Sequence, residues 1–285
     1  MKVLITGAGG LVGSHLTDQL SRSHDVLALG RTDLDITDAD QVFAFVEKES
    51  PDVIINCAVL DVDECERDPE KAASVNVTGP ENLAKTGSDS GAEIVHFSTN
   101  YVFNGKRDSG YYTIDDEREP INIYGQTKLD GERAVQAACE RSYIVRTSWV
   151  FGKGKDSFLS TAGDSLKAGR KISAITDMQA STTFAKDLVG RVEEIVNRKR
   201  YGIYQIVNSG ICSYYDFAKE VAKIVGLSEQ EANELIIAVS AADAHPSAKR
   251  PLYTPMRCKL SEEIGLEPMR DWREALAEYI RHYEW

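Results

Sequence analysis

The sequence predicts an α/β fold: a doubly wound parallel sheet, with a smaller lobe interleaved at its C-terminal end. Three observations carry this. Short β-branched runs alternate with segments of helical period, as in a parallel sheet covered on both faces. The first run ends in Gly7-Ala8-Gly9-Gly10 and leads directly into a helical pattern. The chain has 285 residues, 42% hydrophobic and 27% charged, enough to bury a sizeable core.

Taken in order, residues 2–6 form the first strand. Leu11, Val12, Leu16 and Leu20 follow at the spacing of one buried helix face. Residues 25–29 are the second strand. Asp38 is the predicted N-cap of a helix with Val42, Phe43 and Val46 inward. Pro51 precedes a strand at 52–56, and Pro69 starts a helix through Val75 and Leu83. A fourth strand spans 93–98, a helix 124–140, and a fifth strand 142–146. The second half is less regular. Strands are predicted at 171–175 and 204–207, and amphipathic helices at 215–225 and 272–282. Residues 241–255 hold three prolines with Lys249 and Arg250, and read as loop. Ligands of such sheets bind past the carboxyl ends of the strands, where Gly7, Asn56, Ser98 and Arg146 stand.

The net charge is -12, which argues against nucleic acid or a membrane surface as partner. An anionic small ligand is still compatible, because a few local cations suffice to hold a phosphate. Five cysteines (Cys57, Cys65, Cys139, Cys212, Cys258) are odd in number and form no CxxC pair, which fits a reducing cytoplasm. Residues 1–6 already read as strand, which leaves no leader ahead of the fold, and no apolar run approaches the ~20 residues of a membrane span.

Gly7, Gly10 and Gly13 make a Gly-x-x-Gly-x-x-Gly turn at the start of a βαβ unit. Such a turn lets backbone approach a pyrophosphate, with the helix N-terminus at Leu11 and Val12 supplying free N–H groups. A turn that merely packs strand on helix is the competing reading. The second strand ends in Gly30-Arg31, where an acid would suit NAD. A cation there suits a 2′-phosphate and favours NADP(H); if Arg31 only stacks beside the adenine, NAD serves as well. Asp35 and Ile36 stand near the adenine edge. The small residues Cys57 and Ala58, followed by Val59, leave room for a cofactor to cross the sheet. Residues 1–150 are thus expected to form a Rossmann-like dinucleotide-binding unit. Residues 151–285 form mostly a substrate lobe, with some segments returning to the sheet.

In Tyr124-Gly125-Gln126-Thr127-Lys128 a phenol and an ammonium share one helix face, about 6 Å apart along the axis. An ammonium beside a phenol favours the phenolate and is expected to lower the Tyr124 pKa, so that the phenol exchanges a proton near neutral pH. A solvated helix face is the ordinary origin of such a pair.

These pieces together resemble the extended short-chain dehydrogenase/reductase family over nearly the whole chain. Within it, the chain is similar to the dTDP-4-dehydrorhamnose reductase branch. Four strings carry the likeness: the segment from Ser98-Thr99-Asn100 to Asn104-Gly105, Pro120-Ile121-Asn122 leading into Tyr124 and Lys128, Arg146-Thr147-Ser148-Trp149, and Arg250-Pro251. The resemblance implies Ser98 near the cofactor and Thr99 as the hydroxyl orienting a carbonyl. It implies Tyr124 as proton donor, and Lys128 as binder of the nicotinamide ribose. It also implies Asn100 and Trp149 lining a sugar pocket, and Arg250 meeting a pyrophosphate. The implied reaction is NADPH-dependent reduction of the 4-keto group of a nucleotide-linked deoxysugar, converting dTDP-4-dehydro-β-L-rhamnose to dTDP-L-rhamnose, with room for a homodimer. The alternatives are an epimerase or dehydratase of nucleotide sugars, and a binding protein resembling the regulatory subunit of methionine adenosyltransferase.

The chain departs from the branch at three places. Asn100 replaces the usual Asp, residues 58–63 are one residue short and lack a Thr, and Ser14 stands where a glutamate for an interface metal is expected, so no metal is assigned. His15, His24, His96, His245 and His282 show no metal spacing, and His96 reads as a core histidine. Arg146 reads equally as a structural ion-pair partner, Lys249 with Arg250 as a solvated pair, and Cys57 as a packing residue rather than a nucleophile.

Overall fold

The computed structural model describes residues 1–154, 156–243 and 247–282; His245 and Pro246 lie outside them. The strands are β1 (Lys2–Thr6), β2 (Asp25–Leu29), β3 (Val53–Asn56), β4 (Glu93–Thr99), β5 (Ser142–Thr147), β6 (Val150–Phe151), β7 (Ile172–Ile175), β8 (Gln179–Ala180), β9 (Thr183–Phe184), β10 (Gly202–Gln205), β11 (Cys212–Ser213), β12 (Ile236–Val239) and β13 (Tyr253–Thr254). The helices are α1 (Leu11–Leu20), α2 (Ala39–Glu49), α3 (Val62–Arg67), α4 (Pro69–Ala73), α5 (Gly79–Ser90), α6 (Ile123–Ala138), α7 (Phe158–Lys167), α8 (Ala185–Arg198), α9 (Tyr214–Ile224), α10 (Glu229–Leu235), α11 (Lys259–Glu263) and α12 (Trp272–His282).

Six strands make one parallel sheet in the order β10-β5-β4-β3-β1-β2. The alternation of residues along each strand explains the unbroken apolar runs. Val3, Ile5, Val53, Ile55 and Val145 face a core shared with α1 and α8. Leu4, Ile54, Ile94 and Ile144 face the opposite core, shared with α2 and α5. Both faces are buried, as a doubly wound sheet requires. The strand order reverses at β1, with β2 on one side and β3 on the other, which opens a crevice past their carboxyl ends. A third core, including Phe151, Phe184, Phe217, Trp272 and Tyr279, builds the second lobe.

Asp38 caps α2 as expected, its carboxylate accepting from Asp40 N at 3.1 Å and Gln41 N at 3.0 Å. Phe43 departs from expectation. It is 51% exposed, whereas Val42 and Val46 are fully buried. Consecutive helix residues point ~100° apart, and the stripe through 42 and 46 carries position 43 outward. The helix predicted from Pro69 is one continuous run, but a π turn at Ser74–Thr78 joins α4 to α5. The turn carries buried Asn76, whose Oδ1 accepts from Leu60 N (3.1 Å) and whose Nδ2 donates to Thr127 Oγ1 (3.1 Å). The strand expected at 204–207 begins at Gly202 and ends at Gln205, and the expected loop at 241–255 contains β13, paired in parallel with β8.

Candidate active site

The glycine turn and the end of β3 nearly touch. Gly7 has φ +67°, and a Cβ on it would lie 2.6 Å from both Ala58 N and Cys57 C. Only glycine satisfies both conditions. The α1 N-terminus has no side-chain cap and no acid in its first turn, which leaves its N–H groups for an anion. Beside it is a cavity of about 520 Å³ lined by Arg31, Asp35, Ile36, Ala58, Val59 and Lys71, among others. Bonds from Thr37 and the nearby Arg31 charge hold the Asp35 carboxyl below its usual range. The turn, the uncapped helix and the cation fit a phosphorylated dinucleotide.

Asn122 starts α6: its Oδ1 accepts from Gly125 N at 2.7 Å, and its Nδ2 donates to the Lys249 carbonyl at 2.7 Å. A Cβ at Gly125 would stand 2.3 Å from the Tyr101 carbonyl oxygen, so glycine lets the helix run against the segment after β4. That approach brings Tyr124 beside Thr99 at one cleft, close enough for the Thr99 hydroxyl to favour the phenolate. Thr99 Oγ1 accepts from Tyr101 N (3.2 Å) and donates to Asn100 Oδ1 (3.2 Å). Asn100 Nδ2 donates to Thr254 Oγ1 at 2.6 Å. Asn100, expected to meet sugar hydroxyls, therefore spends its amide tying Thr99 to β13.

The expected depression of the Tyr124 pKa is corrected by the structure. Burial pushes the phenol up from its ordinary value, and the neighbouring Thr99 hydroxyl only partly offsets it. Lys128 is 2% exposed, and burial lowers it to about 8, with Glu132 opposing. Its Nζ meets His96 Nε2 at 3.4 Å.

Thr99, Tyr124, Ser98 and Trp149 line one cleft of about 760 Å³ together with Leu11, Val12 and Cys57. Trp149 has φ +44° and stacks on Tyr214 at 4.0 Å. Its backbone strain is held at the cleft wall, as often at functional sites. The cleft shares Gly10, Cys57 and Val59 with the Arg31 cavity. On its other side it shares Tyr101, Phe158 and Tyr214 with a cavity of about 870 Å³ that contains Arg250. One groove thus runs from Arg31 past Tyr124 to Arg250.

The family described as RmlD substrate binding domain matches residues 1–285. The chain belongs to that family. It is 41% identical to a dTDP-4-dehydrorhamnose reductase from Mycolicibacterium smegmatis, over 98% of this chain and 85% of that protein. Among solved structures it resembles dTDP-4-dehydrorhamnose reductases from Bacillus anthracis, in complex with NADP (TM-score 0.93, 32% identity, 99% of each chain), and from Clostridium acetobutylicum (TM-score 0.91, 36% identity, 99% of each chain). These findings bear out the resemblance drawn from the four strings.

Within this RmlD-family chain, most residues singled out in sequence gather along the groove; Lys128 is buried and lines none of its three cavities, and two others change neighbourhood. Arg146 is fully buried away from the groove. Its guanidinium grips Glu132 at 2.7 and 2.8 Å, and Ser98 Oγ donates to the same carboxylate at 2.5 Å. Arg250 is no solvated pair: it binds Asp63 Oδ2 at 2.8 Å. Burial pushes the Cys57 thiol up, which suits packing rather than nucleophilic attack. Sequence reasoning missed Asp63, Lys71, Tyr101 and Tyr214. Asp63 and Tyr101 lie in segments that the sequence singles out, without a role of their own; Lys71 and Tyr214 reach the groove only through the fold. Among the described residues, no group of three or more His, Cys, Asp or Glu is arranged to hold a metal, and none of the helices is long and apolar enough to cross a membrane.

Proposed function

We propose that this chain reduces the 4-keto group of a nucleotide-linked deoxysugar, taking dTDP-4-dehydro-β-L-rhamnose to dTDP-L-rhamnose with NADPH preferred over NADH. The observation that carries this reading is the Tyr124–Thr99 hydroxyl pair, placed midway along a groove with a cation at each end. The names of the relatives point to the same chemistry.

Gly7, Gly10, Leu11, Val12, Cys57, Ala58 and Val59 would hold the dinucleotide, with Asp35 and Ile36 at its adenine and Arg31 at its 2′-phosphate. When bound, the cofactor supplies the hydride. Thr99 and Tyr124 hydrogen-bond the carbonyl oxygen as negative charge grows there, and Tyr124 delivers the proton. Lys128 would bind the nicotinamide ribose. Trp149, stacked on Tyr214, walls the sugar, and Arg250 faces the substrate pyrophosphate. Asn100 keeps Thr99 aimed. We also place the division of labour at residue 150, with 1–150 for the dinucleotide and 151–285 mostly for the sugar nucleotide. The oligomeric state belongs to the same proposal: a homodimer, working in the cytoplasm.

The test mixes the protein, NADPH and dTDP-4-dehydro-β-L-rhamnose and follows loss of NADPH absorbance. The expected result is oxidation stoichiometric with dTDP-L-rhamnose formed. No oxidation, or turnover in Tyr124→Phe equal to the parent, overturns it.

A further inference from the structure

The neighbours of Lys128 restrict the form in which its amine is accommodated. Asn56 and His96 face each other across the β3–β4 register, both fully buried. Asn56 Oδ1 accepts from Thr6 Oγ1 at 2.8 Å and from Ala58 N at 3.1 Å. A backbone N–H can only donate, so it fixes which end of the amide is oxygen. Nδ2 therefore faces His96 Nδ1, at 3.2 Å, and donates to it. A ring nitrogen that accepts carries no proton. Burial and the neighbouring Lys128 keep the imidazole neutral, so its single proton lies on Nε2. That N–H meets Lys128 Nζ, which has no other hydrogen-bond partner among the described residues. An ammonium has three donors and no lone pair, whereas a neutral amine can accept.

We propose that His96 is a positioning residue for Lys128, presenting Nε2–H so that the buried network accommodates the neutral amine. The chain Thr6–Asn56–His96–Lys128 then links the glycine turn and the Cys57–Ala58 turn to the α6 lysine. The other titratable groups facing Lys128 are Glu132 on its own helix, Cys57 after β3 and Cys65 on α3; the Glu132 charge is taken up by Arg146 from β5. Among them His96 is the group that bonds the nitrogen directly. The kinetic part of this inference rests on the reductase reading; the hydrogen-bond part stands without it.

The experiment is long-range proton–nitrogen NMR of the full chain labelled at histidine nitrogen, with His96 assigned by His96→Gln. The expected result is an Nε2–H tautomer whose ring shifts move with a midpoint near pH 8, a step absent in Lys128→Met. An Nδ1–H tautomer, or shifts indifferent to Lys128, overturns the proposal. Because this measurement uses neither NADPH nor sugar, its failure leaves the reductase reading standing. The converse failure, no NADPH oxidation with the expected spectrum, removes the reductase reading alone. Kinetics supply the second arm. His96→Leu moves the alkaline limb of kcat/KM upward by about half a unit or more, and His96→Gln, which keeps a donor and an acceptor, restores it. An unmoved limb in a folded His96→Leu also overturns the proposal.

Discussion

Arg250 and Asp63, 187 residues apart in sequence, join side chains at 2.8 Å, and Asp63 Oδ1 also accepts from Ala248 N at 3.3 Å. One carboxylate on α3 thereby sets the position of the late loop that brings its cation to the groove. Arg250→Ala is expected to raise KM for the sugar nucleotide by ~10-fold or more, the worth of a charge-assisted bond, with little change in kcat. Asp63→Asn should raise it less, and the double variant should match Arg250→Ala alone. Steady-state kinetics on the four proteins check this; additive losses would mean that the two residues act separately.

Tyr124→Phe removes one hydroxyl from a helix held by Asn122 and by packing at Gly125. Turnover of NADPH is expected to fall by ~10²-fold or more while the melting temperature changes little. Thr99→Val should lose activity as well, since it removes the hydroxyl beside Tyr124 and its bond to Asn100.

Lys128 carries a stability cost with a definite pH window. Its folded pKa, about 8, lies below its ordinary value of 10.5, so the folded state binds fewer protons between those values. Stability from this group therefore rises with pH from about 8 toward 10.5, and the cost is complete below 8. Lys128→Met should accordingly be more stable than the parent at pH 7, by a few kcal/mol, with the difference shrinking as the pH approaches 10. Urea unfolding of both proteins across that range measures it.

Arg31→Ala should raise KM for NADPH by ~10-fold or more and leave KM for NADH nearly unchanged, because the proposed role of Arg31 is to meet the 2′-phosphate that NADH lacks. Equal effects on both cofactors would assign Arg31 to adenine stacking instead.

Arg146 and Glu132 are both almost fully enclosed. Breaking such a pair leaves a buried charge alone, so Arg146→Met is expected to destabilise by ~3–5 kcal/mol, read from the shift of the urea midpoint.

The parallel sheet was legible because both faces of each strand are buried, which writes continuous runs such as Val3-Leu4-Ile5 into the chain. Helix α8 was not read, although Leu188, Val189, Val192, Ile195 and Val196 are all buried, since what they cover is a sheet built from residues far upstream. Thr99, Tyr124, Lys128 and Trp149 were legible because each lies in a short local string at a strand end or helix start. The partners that decide their behaviour were not. Asn56 and His96 meet only through strand register, and Arg250 finds Asp63 only through the path of a loop. The tuning of Tyr124 was misjudged for a related reason: helical spacing set Lys128 beside it, but the amine points to β4 instead.

Strand β10 pairs with β5 yet is built from residues 202–205, and its Gln205 Oε1 accepts from Arg146 at 3.4 Å. During synthesis, β5 leaves the ribosome well before the segment that covers it. Until that segment arrives, β5 is an open edge with a charged pair beside it, a template for pairing with other chains. A truncation after residue 150 would make that transient state permanent. The nucleotide-binding half of this protein is thus not a separable module, and gene fusions or domain exchanges that cut between the lobes should give aggregates unless they carry β10 along.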